Sequence, residues 1–466
     1  MDEWPRIAAS HQPKSSRMRA VILLSLLAVS VAVSAYGEEY RVYTEHPRLL
    51  LRAQRLRLLK RERERESMRW RQFESLVKGD ARLPEPGFAL ALYSTVSGDA
   101  AAAKRAIEWA LSADADLRQM ALVYDWCQDQ MTQAQTTALR AKIQKAIASA
   151  PIANSIAAFR NRALAAIAIA DESSHPEEAV LRSIVEQWFQ GRFAPALLDG
   201  REVVTPPDAY PLLELLHVIR DNLTIDLRES APAYFKAFPE YLVLANYPAP
   251  YQAPENEYRV PVYTSAGQPD LNQAALTRAA GLSMVGFDNN ATETQFLQGW
   301  LIQDRFLMRG VLGAPYEFLW ANPYQPGLSY FHLPLGFHDP HSGALFIRSS
   351  WEDDAIWFGL FKGEAQLFED GKITVLNAKG SLAVRPIHVG ATSVLAGREG
   401  LKFTAEDQLI FVVGLKPHYS YLVEVDDEEM REDVTDSAGT LELHFPPERS
   451  AGVRIQEFPS SAISAP

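Results

Sequence analysis

The chain has one cysteine, Cys127, among its 466 residues. A single cysteine excludes an internal disulfide, so a stable fold must come from buried apolar cores. Cys127 lies in the apolar stretch LVYDWC, and we interpret it as a core residue rather than a nucleophile. Hydrophobic residues make up 47% of the chain, which is ample for sizeable cores, and the length favours two or three domains.

Positive charge is also scarce, because 58 acidic residues outnumber 46 lysines and arginines and leave a net charge of -12. This balance argues against nucleic acid as a partner. An acidic polysaccharide or oligosaccharide stays compatible with the sequence, since a local basic groove can override the net field. The sequence lacks a nucleotide-binding glycine loop, a serine nucleophile elbow and a zinc-protease helix.

Long hydrophobic runs are missing except near the N-terminus. There, Arg17 and Arg19 precede an apolar run from Ala20 to Ala35, and small residues follow. This three-part plan predicts a secretory signal peptide over residues 1–37 and a secreted or periplasmic protein. An uncleaved N-terminal anchor is the alternative, although the run is shorter than the roughly 20 residues of a membrane span. No later segment predicts a membrane span.

Residues 38–310 show helical periodicity with alternating cap and stop residues, which predicts many short helices in antiparallel hairpins. Segment 311–342 is rich in proline, glycine and aromatics and reads as a linker. Residues 343–458 alternate apolar and polar residues between turns, which predicts an antiparallel β-sandwich. The charge-dense run RERERE at 61–66 indicates a solvated helix face with ion pairs rather than a polyanion site.

Three stretches, in this order, resemble the heparinase II/III-like family of polysaccharide lyases: HPRLLLRAQRLRLLK at 46–60, ALVYDWCQDQMTQAQ at 121–135 and GALFIRSSWEDDAIWFGLFKG at 343–363. The resemblance spans most of residues 45 to 400. It implies an incomplete α/α toroid followed by a β-sandwich that includes a small C-terminal β-module. It also implies β-elimination on glycans that contain uronic acids.

β-Elimination needs a group that neutralises the uronate carboxylate and a group that transfers the proton. The resemblance implies Asn161 as the neutraliser, flanked by Arg160 and Arg162. It implies Tyr210 as the proton-transfer residue, with Arg201 upstream as a cation that could lower the pKa of the phenol. The alternative for each is a structural role at a helix start.

The chain departs from the family where a histidine-x-histidine-x-aspartate-x-glycine run is expected. Aligning Gly371 with the glycine of that run puts Ala365 and Leu367 at the histidine positions. Neither side chain can transfer a proton or bind a metal. This departure puts the family's histidine-assisted chemistry in doubt.

A second group of histidines, His332, His338 and His341, lies in FHLPLGFHDPHSG together with Asp339. Three readings stay open for this loop: a zinc set, a substrate-contacting loop at the domain junction, and a plain turn. We predict substrate contact for these three histidines, for Arg160 and for Tyr258, and neither a metal nor a cofactor.

The function that these observations favour is β-elimination on an acidic glycan by a secreted, lyase-like protein. A catalytically inactive glycan-binding homologue is a near-equal alternative, and it would keep a groove lined by aromatics such as Trp188, Tyr247, Tyr251 and Tyr258. A glycoside hydrolase on an α/α toroid is a further alternative, for which Asp199, Glu202 and Asp208 would be the carboxylates to pair.

Overall fold

The computed structural model describes residues 40–43, 45–79, 81–149, 155–171, 175–264, 267–304, 308–376, 385–398, 400–446 and 450–457. The predicted signal segment 1–37 lies outside the described residues. Within the described ranges, every helix is too short or too polar to cross a bilayer.

The first two thirds of the described chain are helical. The α-helices are α1 Ala53–Glu64, α2 Met68–Lys78, α3 Pro86–Ser97, α4 Ala100–Leu111, α5 Leu117–Trp126, α6 Gln133–Ser149, α7 Ile156–Ile169, α8 His175–Arg182, α9 Ala194–Leu198, α10 Pro206–Leu223, α11 Pro232–Leu244, α12 Leu271–Phe287, α13 Thr292–Gln303 and α14 Gly313–Trp320. A π-helical segment, Ser183–Phe193, joins α8 to α9. Short 3₁₀ turns lie at Gln128–Gln130, Leu227–Ser230 and Tyr330–His332.

Side-chain caps explain where several of these helices begin. Asp99, Asp116, Ser155 and Asp270 each accept a hydrogen bond from a backbone N–H in the first turn of the helix that follows. Such caps satisfy amide groups that have no partner within the helix.

Six helices are buried on nearly all sides: α3, α5, α7, α10, α12 and α14. Each packs against the next in that order, and α14 also contacts α3. The remaining helices connect them and carry more exposed residues. The amino ends of α5 and α7 meet at one carboxylate of α10, and the carboxyl ends of α10, α12 and α14 line one cavity.

The rest of the chain is β-structure. The strands are β1 Gly336–Asp339, β2 Ala344–Arg348, β3 Trp357–Phe361, β4 Glu364–Glu369, β5 Lys372–Leu376, β6 Ile387–Val389, β7 Thr392–Ala396, β8 Leu401–Ala405, β9 Leu409–Val413, β10 Ser420–Val425, β11 Glu429–Val434, β12 Leu441–His444 and β13 Ala451–Glu457. The predicted order of a helical region followed by a β region is confirmed.

Three sheets form the β region. The first has the order β1-β2-β3-β4-β5, the second β12-β9-β7-β6 and the third β11-β10-β13-β8. The expectation of a purely antiparallel sandwich is wrong in one respect, because β7 and β9 pair in parallel. The C-terminal strands β10, β11 and β13 share a sheet with β8, so the predicted small module is part of the same stack.

Alternating side chains hold the three sheets face to face. Leu345 and Ile347 of the first sheet pack on Phe411 of the second. Ile410 and Val412 point to the opposite face of the second sheet and pack on the third. This alternation is what the two-residue period of a strand dictates.

The outer face of the first sheet packs on the helical region. Phe346 and Trp357 belong to the same core as the helices, and Trp357 Nε1 donates a hydrogen bond to the Leu244 carbonyl at 3.1 Å. Tyr247 OH donates to Gln366 Oε1 at 2.7 Å. The two regions thus meet along a buried interface.

Segment 311–342 differs from its interpretation as a linker, because it contains both α14 and β1. Its prolines and glycines suggested a loop. Pro315, however, lies in the first turn of α14, where a missing amide hydrogen has no cost.

Candidate functional site

A buried polar cluster lies between the central helices α5, α7 and α10. Glu214 of α10 is fully buried, and its two carboxylate oxygens accept hydrogen bonds from Arg118 Nη2 and Nε, both at 2.8 Å. Arg160 of α7 forms an ion pair with the same carboxylate. One carboxylate therefore joins two guanidinium groups from two neighbouring helices.

Tyr210 completes this cluster from one turn earlier in α10. Its hydroxyl donates to Glu214 Oε1 at 3.0 Å and accepts a hydrogen bond from Trp320 Nε1 at 3.1 Å. On the far side, Arg118 Nη1 contacts Glu85 Oε2 at 3.1 Å. The polar side chains of α5, α7 and α10 are thereby satisfied by one another, together with Glu85 before α3 and Trp320 at the end of α14.

The cluster is electrostatically self-consistent. Burial alone would raise the pKa of Glu214, but Arg118 and Arg160 hold it down to about 2. Burial and the Glu214 charge raise the pKa of Tyr210 well above its ordinary value. Glu214 is thus a carboxylate, and Tyr210 is a neutral phenol.

These observations correct the expectation that Tyr210 faces a groove as a proton-transfer residue. The side chain is 1% exposed, and its oxygen is already engaged by Glu214 and Trp320. The nearby cations are Arg118 and Arg160, whereas Arg201 is largely exposed and pairs with Asp199 at 2.7 Å. A substrate must be able to reach the catalytic base, and the Tyr210 hydroxyl is buried away from solvent.

The residues around Asn161 are brought near the cluster. Asn161 Oδ1 accepts a hydrogen bond from Arg160 Nε at 2.7 Å, so Arg160 bridges the amide and the Glu214 carboxylate. Asn161 and Arg162 are half-buried. The structure therefore links Arg160, Asn161 and Tyr210 through the Glu214 carboxylate, which occupies the guanidinium of Arg160.

We expect Tyr210→Phe to lower the free energy of unfolding by about 1–2 kcal/mol, because it removes a partner from a buried carboxylate and from a buried indole N–H. Urea unfolding of both proteins measures this. Tyr324→Phe is the matched control, since Tyr324 is 57% exposed and should change stability little. A loss from Tyr210→Phe no larger than that of the control would contradict the assignment.

A groove follows the interface between the helices and the first sheet. It consists of two adjoining cavities of about 280 and 230 Å³, which share Val203, Tyr241 and Ser342. The lining of the larger cavity includes Pro206, Pro261 and Tyr263. We call this feature the interdomain groove, and most of its lining residues are apolar or aromatic.

Two of the predicted histidines lie along the interdomain groove. His338 and His341 both line the smaller cavity. Gly200 approaches the His341 carbonyl so closely that a Cβ at position 200 would lie 1.9 Å from its oxygen. The loop that carries His341 therefore meets the helical region at Gly200.

The two nitrogens of His338 are already occupied. Nδ1 contacts Glu442 Oε2 at 2.7 Å, and Nε2 contacts Asp436 Oδ2 at 3.0 Å. Burial would lower the pKa of His338, but these two carboxylates raise it to about 9. The imidazole is therefore a cation that joins the edges of the first and second sheets, rather than a free substrate contact.

The other predicted substrate contacts lie away from the groove. His332 is exposed in the 3₁₀ turn after Ser329. Tyr258 is 2% exposed beneath Arg278, whose Cζ lies 4.6 Å from the ring centroid; its prediction as a substrate contact does not fit this burial. Trp188 and Tyr247 are also buried, and only Tyr251 of the proposed aromatics is half-buried.

Strand β4 occupies the place of the histidine run expected from the resemblance. Ala365 is buried against the second sheet, and Leu367 packs partly against the same core. Among the described residues, no grouping of three His, Cys, Asp or Glu side chains is arranged to hold a metal ion. For the hydrolase alternative, Asp199 is tied to Arg201 and Asp208 accepts a hydrogen bond from Thr205 Oγ1.

Arg118 and Glu214 were not among the predicted site residues. The four-residue spacing of Tyr210 and Glu214 places both on one helix face, which was an available signal. The partners of Glu214 could not be predicted from the sequence, because Arg118 lies 96 residues away in the chain.

Comparisons with known proteins add little. No known family matches the sequence, and no curated protein matches it. Among solved structures, the chain is similar to a GH127 β-arabinofuranosidase at 10% identity, covering 90% of this chain and 80% of that one with a TM-score of 0.22. A likeness this distant carries no argument about fold or function.

Proposed function

We propose that this chain is a glycan-binding protein with a heparinase II/III-like architecture that does not carry out β-elimination. One observation carries the proposal: the Tyr210 phenol is held by Glu214 and Trp320 inside a sealed cluster. The alanine and leucine at 365 and 367 support it further.

The contacts among the six central helices support an α/α toroid as the architecture of the helical region. Each helix packs on the next, and the last contacts the first, which is the arrangement that a ring requires. The stacked sheets then correspond to the β-sandwich of the family. The N-terminal segment 1–37 supports a secreted or periplasmic location.

The interdomain groove is our candidate for the glycan site. Sugar rings present apolar C–H faces that pack on aromatic and proline surfaces, and the walls of the groove offer Tyr241, Tyr263 and Pro261. Polar groups at the larger cavity, such as Gln273 and Lys362, can hydrogen-bond to hydroxyl or carboxylate groups. Two adjoining cavities suit an extended chain of sugar units.

Tyr263→Ala tests this assignment. The ring is half-buried and lines the larger cavity, so its removal should weaken binding about tenfold, or about 1.4 kcal/mol. Calorimetric titration with oligosaccharides of alginate and heparan sulfate measures the effect. Tyr324→Ala is the control, because Tyr324 is exposed near Arg65 and outside the groove.

The expected result is binding by the wild-type chain and by Tyr324→Ala, with clear weakening for Tyr263→Ala only. Equal affinities for all three proteins would place the glycan elsewhere. No binding of any uronate glycan by the wild-type chain would contradict the proposed function itself.

A further inference from the structure

A further cavity, of about 560 Å³, lies at the carboxyl ends of α10, α12 and α14, where its lining includes Trp320, the partner of Tyr210. Its polar lining is dominated by arginine. Five arginines line the cavity: Arg52 directly before α1, Arg55, Arg57 and Arg61 in α1, and Arg220 in α10. Asp221 is the one carboxylate among the described residues that line it. We call this feature the arginine pocket.

Two of these guanidinium groups are held rigidly by the fold. Arg55 Nη1 donates to the Leu319 carbonyl at 3.0 Å, and its Cζ lies 4.4 Å from the Trp320 ring centroid. A Cβ at Gly286 would lie 2.8 Å from Arg55 Nη2, so this glycine makes room for the guanidinium. Burial lowers the pKa of Arg55 to about 10, and the group is still a cation at neutral pH.

Arg220 is anchored in a similar way. Its Nη1 donates to the Phe287 carbonyl at 2.5 Å, and its Cζ lies 3.6 Å from the Phe287 ring centroid. Its remaining nitrogens contact Asp221. Both anchored arginines thus complete carbonyl groups at helix carboxyl ends, where cations are stabilised.

That structural role does not account for the other three arginines. Arg52, Arg57 and Arg61 are exposed, and the guanidiniums of Arg57 and Arg61 make no ion pair with any residue in the described ranges. Arg57 and Arg61 are one helical turn apart on the same face of α1. Like charges at this spacing repel, so a face of this kind costs stability unless an anion joins it.

The RERERE run lies on a largely exposed part of α1 and carries ion pairs as predicted, such as Glu66 with Arg71, but one of its arginines also lines the pocket. Its Glu62 pairs with Arg69 on the buried side of α1, and Arg63 donates to the Val96 carbonyl. Arg61 instead turns toward the pocket with Arg57. Arg57 and Arg61 therefore add positive charge to the pocket, and Glu64, three residues after Arg61, does not line it.

Amide side chains complete the walls of the pocket. Gln54, Asn289, Asn322 and Gln325 line it beside the arginines. An amide offers both a donor and an acceptor, which suits sugar hydroxyl groups. A guanidinium forms paired hydrogen bonds to carboxylate or sulfate oxygens. The volume falls in the range of about 300–1,000 Å³ that holds a small ligand.

We infer that the arginine pocket binds an acidic saccharide, namely a short sugar unit that carries carboxylate or sulfate groups. Five arginines against one carboxylate supply the charge, and the amides supply contacts to hydroxyl groups. The net charge of -12 on the whole chain disfavours long nucleic acids, whose phosphates would also meet the acidic surroundings. This site is separate from the interdomain groove and does not depend on it.

The experiment uses calorimetric titration of the full chain with a sulfated, uronate-containing disaccharide. Cellobiose is the neutral match, and inorganic sulfate tests whether an oxyanion alone suffices. The test variant is Arg57→Gln with Arg61→Gln, because both side chains are exposed and neither supports the fold. The control is Lys60→Gln with Arg192→Gln, which removes the same charge from exposed positions outside the pocket.

We expect the acidic disaccharide to bind, with affinity at least tenfold weaker in the test variant and unchanged in the control. Cellobiose should not bind, and sulfate should bind more weakly than the disaccharide. Equal weakening in both double variants would mean non-specific attraction, and sulfate binding as tightly as the disaccharide would overturn the saccharide assignment. No anion binding at all would overturn the site.

Tyr263→Ala separates this inference from the proposed function. It alters the interdomain groove only, so binding of the acidic disaccharide should persist in that variant. Loss of disaccharide binding in Tyr263→Ala, with binding retained in Arg57→Gln with Arg61→Gln, would move the acidic-sugar site to the groove and contradict the inference.

Discussion

Glu214→Gln should destabilise the protein by about 3–5 kcal/mol, because it leaves two buried guanidinium groups without their shared carboxylate. Arg118 and Arg160 are 3% and 8% exposed, so water cannot replace the lost partner. The four hydrogen bonds at Glu214 come from three separate side chains on two other helices and its own. Chemical unfolding followed by circular dichroism measures the change.

Glu85→Gln is the matched control for this prediction. Glu85 contacts the same Arg118 at 3.1 Å, but its side chain is 27% exposed, so water takes over part of the interaction. We expect a loss of about 1 kcal/mol. If Glu214→Gln and Glu85→Gln lower the free energy of unfolding by the same amount, the buried cluster is not the electrostatic centre of the helical region.

The same cluster should also be sensitive to acid. The pKa of Glu214 is lowered to about 2 in the folded protein, whereas an unfolded glutamate has a pKa near 4.3. The stabilising contribution of Glu214 is thus fully present above about pH 4.3 and is lost as the pH falls toward 2. Glu214→Gln should remove this part of the acid dependence.

His338 should make stability fall on the alkaline side. Its pKa is raised to about 9 by Asp436 and Glu442, above the value of about 6.5 in an unfolded chain. The contribution is present below about pH 6.5 and is lost as the pH rises through 9. From that pKa shift, the loss in the free energy of unfolding is about 2–3 kcal/mol. Asp436 is almost fully buried, so solvent screens its interaction with His338 only weakly.

Urea unfolding at pH 6 and pH 9.5 measures this effect. His338→Gln should be less stable than wild type at pH 6. Its free energy of unfolding should also differ much less between pH 6 and pH 9.5 than that of wild type. His388→Gln is the control, because the side chain of His388 is 56% exposed beside Asp407. A wild-type stability that does not change between pH 6 and 9.5 would contradict the cationic state of His338.

The helix and strand positions could be read from the sequence because local chemistry sets them. Within the predicted helical region 38–310, Asp99 caps the helix at Ala100–Leu111, and within the predicted β region 343–458, the stretch AIWFGLF contains β3. Caps and two-residue alternation act over a few residues and leave a local trace.

The partners of Tyr210 could not be read in the same way. Trp320 lies 110 residues from Tyr210 in the chain. Their contact depends on the packing of α14, a helix in a proline- and glycine-rich segment that the sequence analysis interpreted as a linker. The parallel pairing of β7 with β9 is likewise a property of the whole stack. A resemblance can place a tyrosine at a helix start, but the packing around it decides whether a substrate can reach it.

The most direct test of the proposed function is an elimination assay on the protein saturated with a uronate oligosaccharide. Binding is measured in the same sample. Elimination leaves a conjugated product that absorbs in the ultraviolet, so an absorbance trace reports every bond that breaks. We expect a flat absorbance trace while the glycan is bound. A steady rise that Tyr210→Phe abolishes would show that the phenol reaches substrate and would contradict the proposed function.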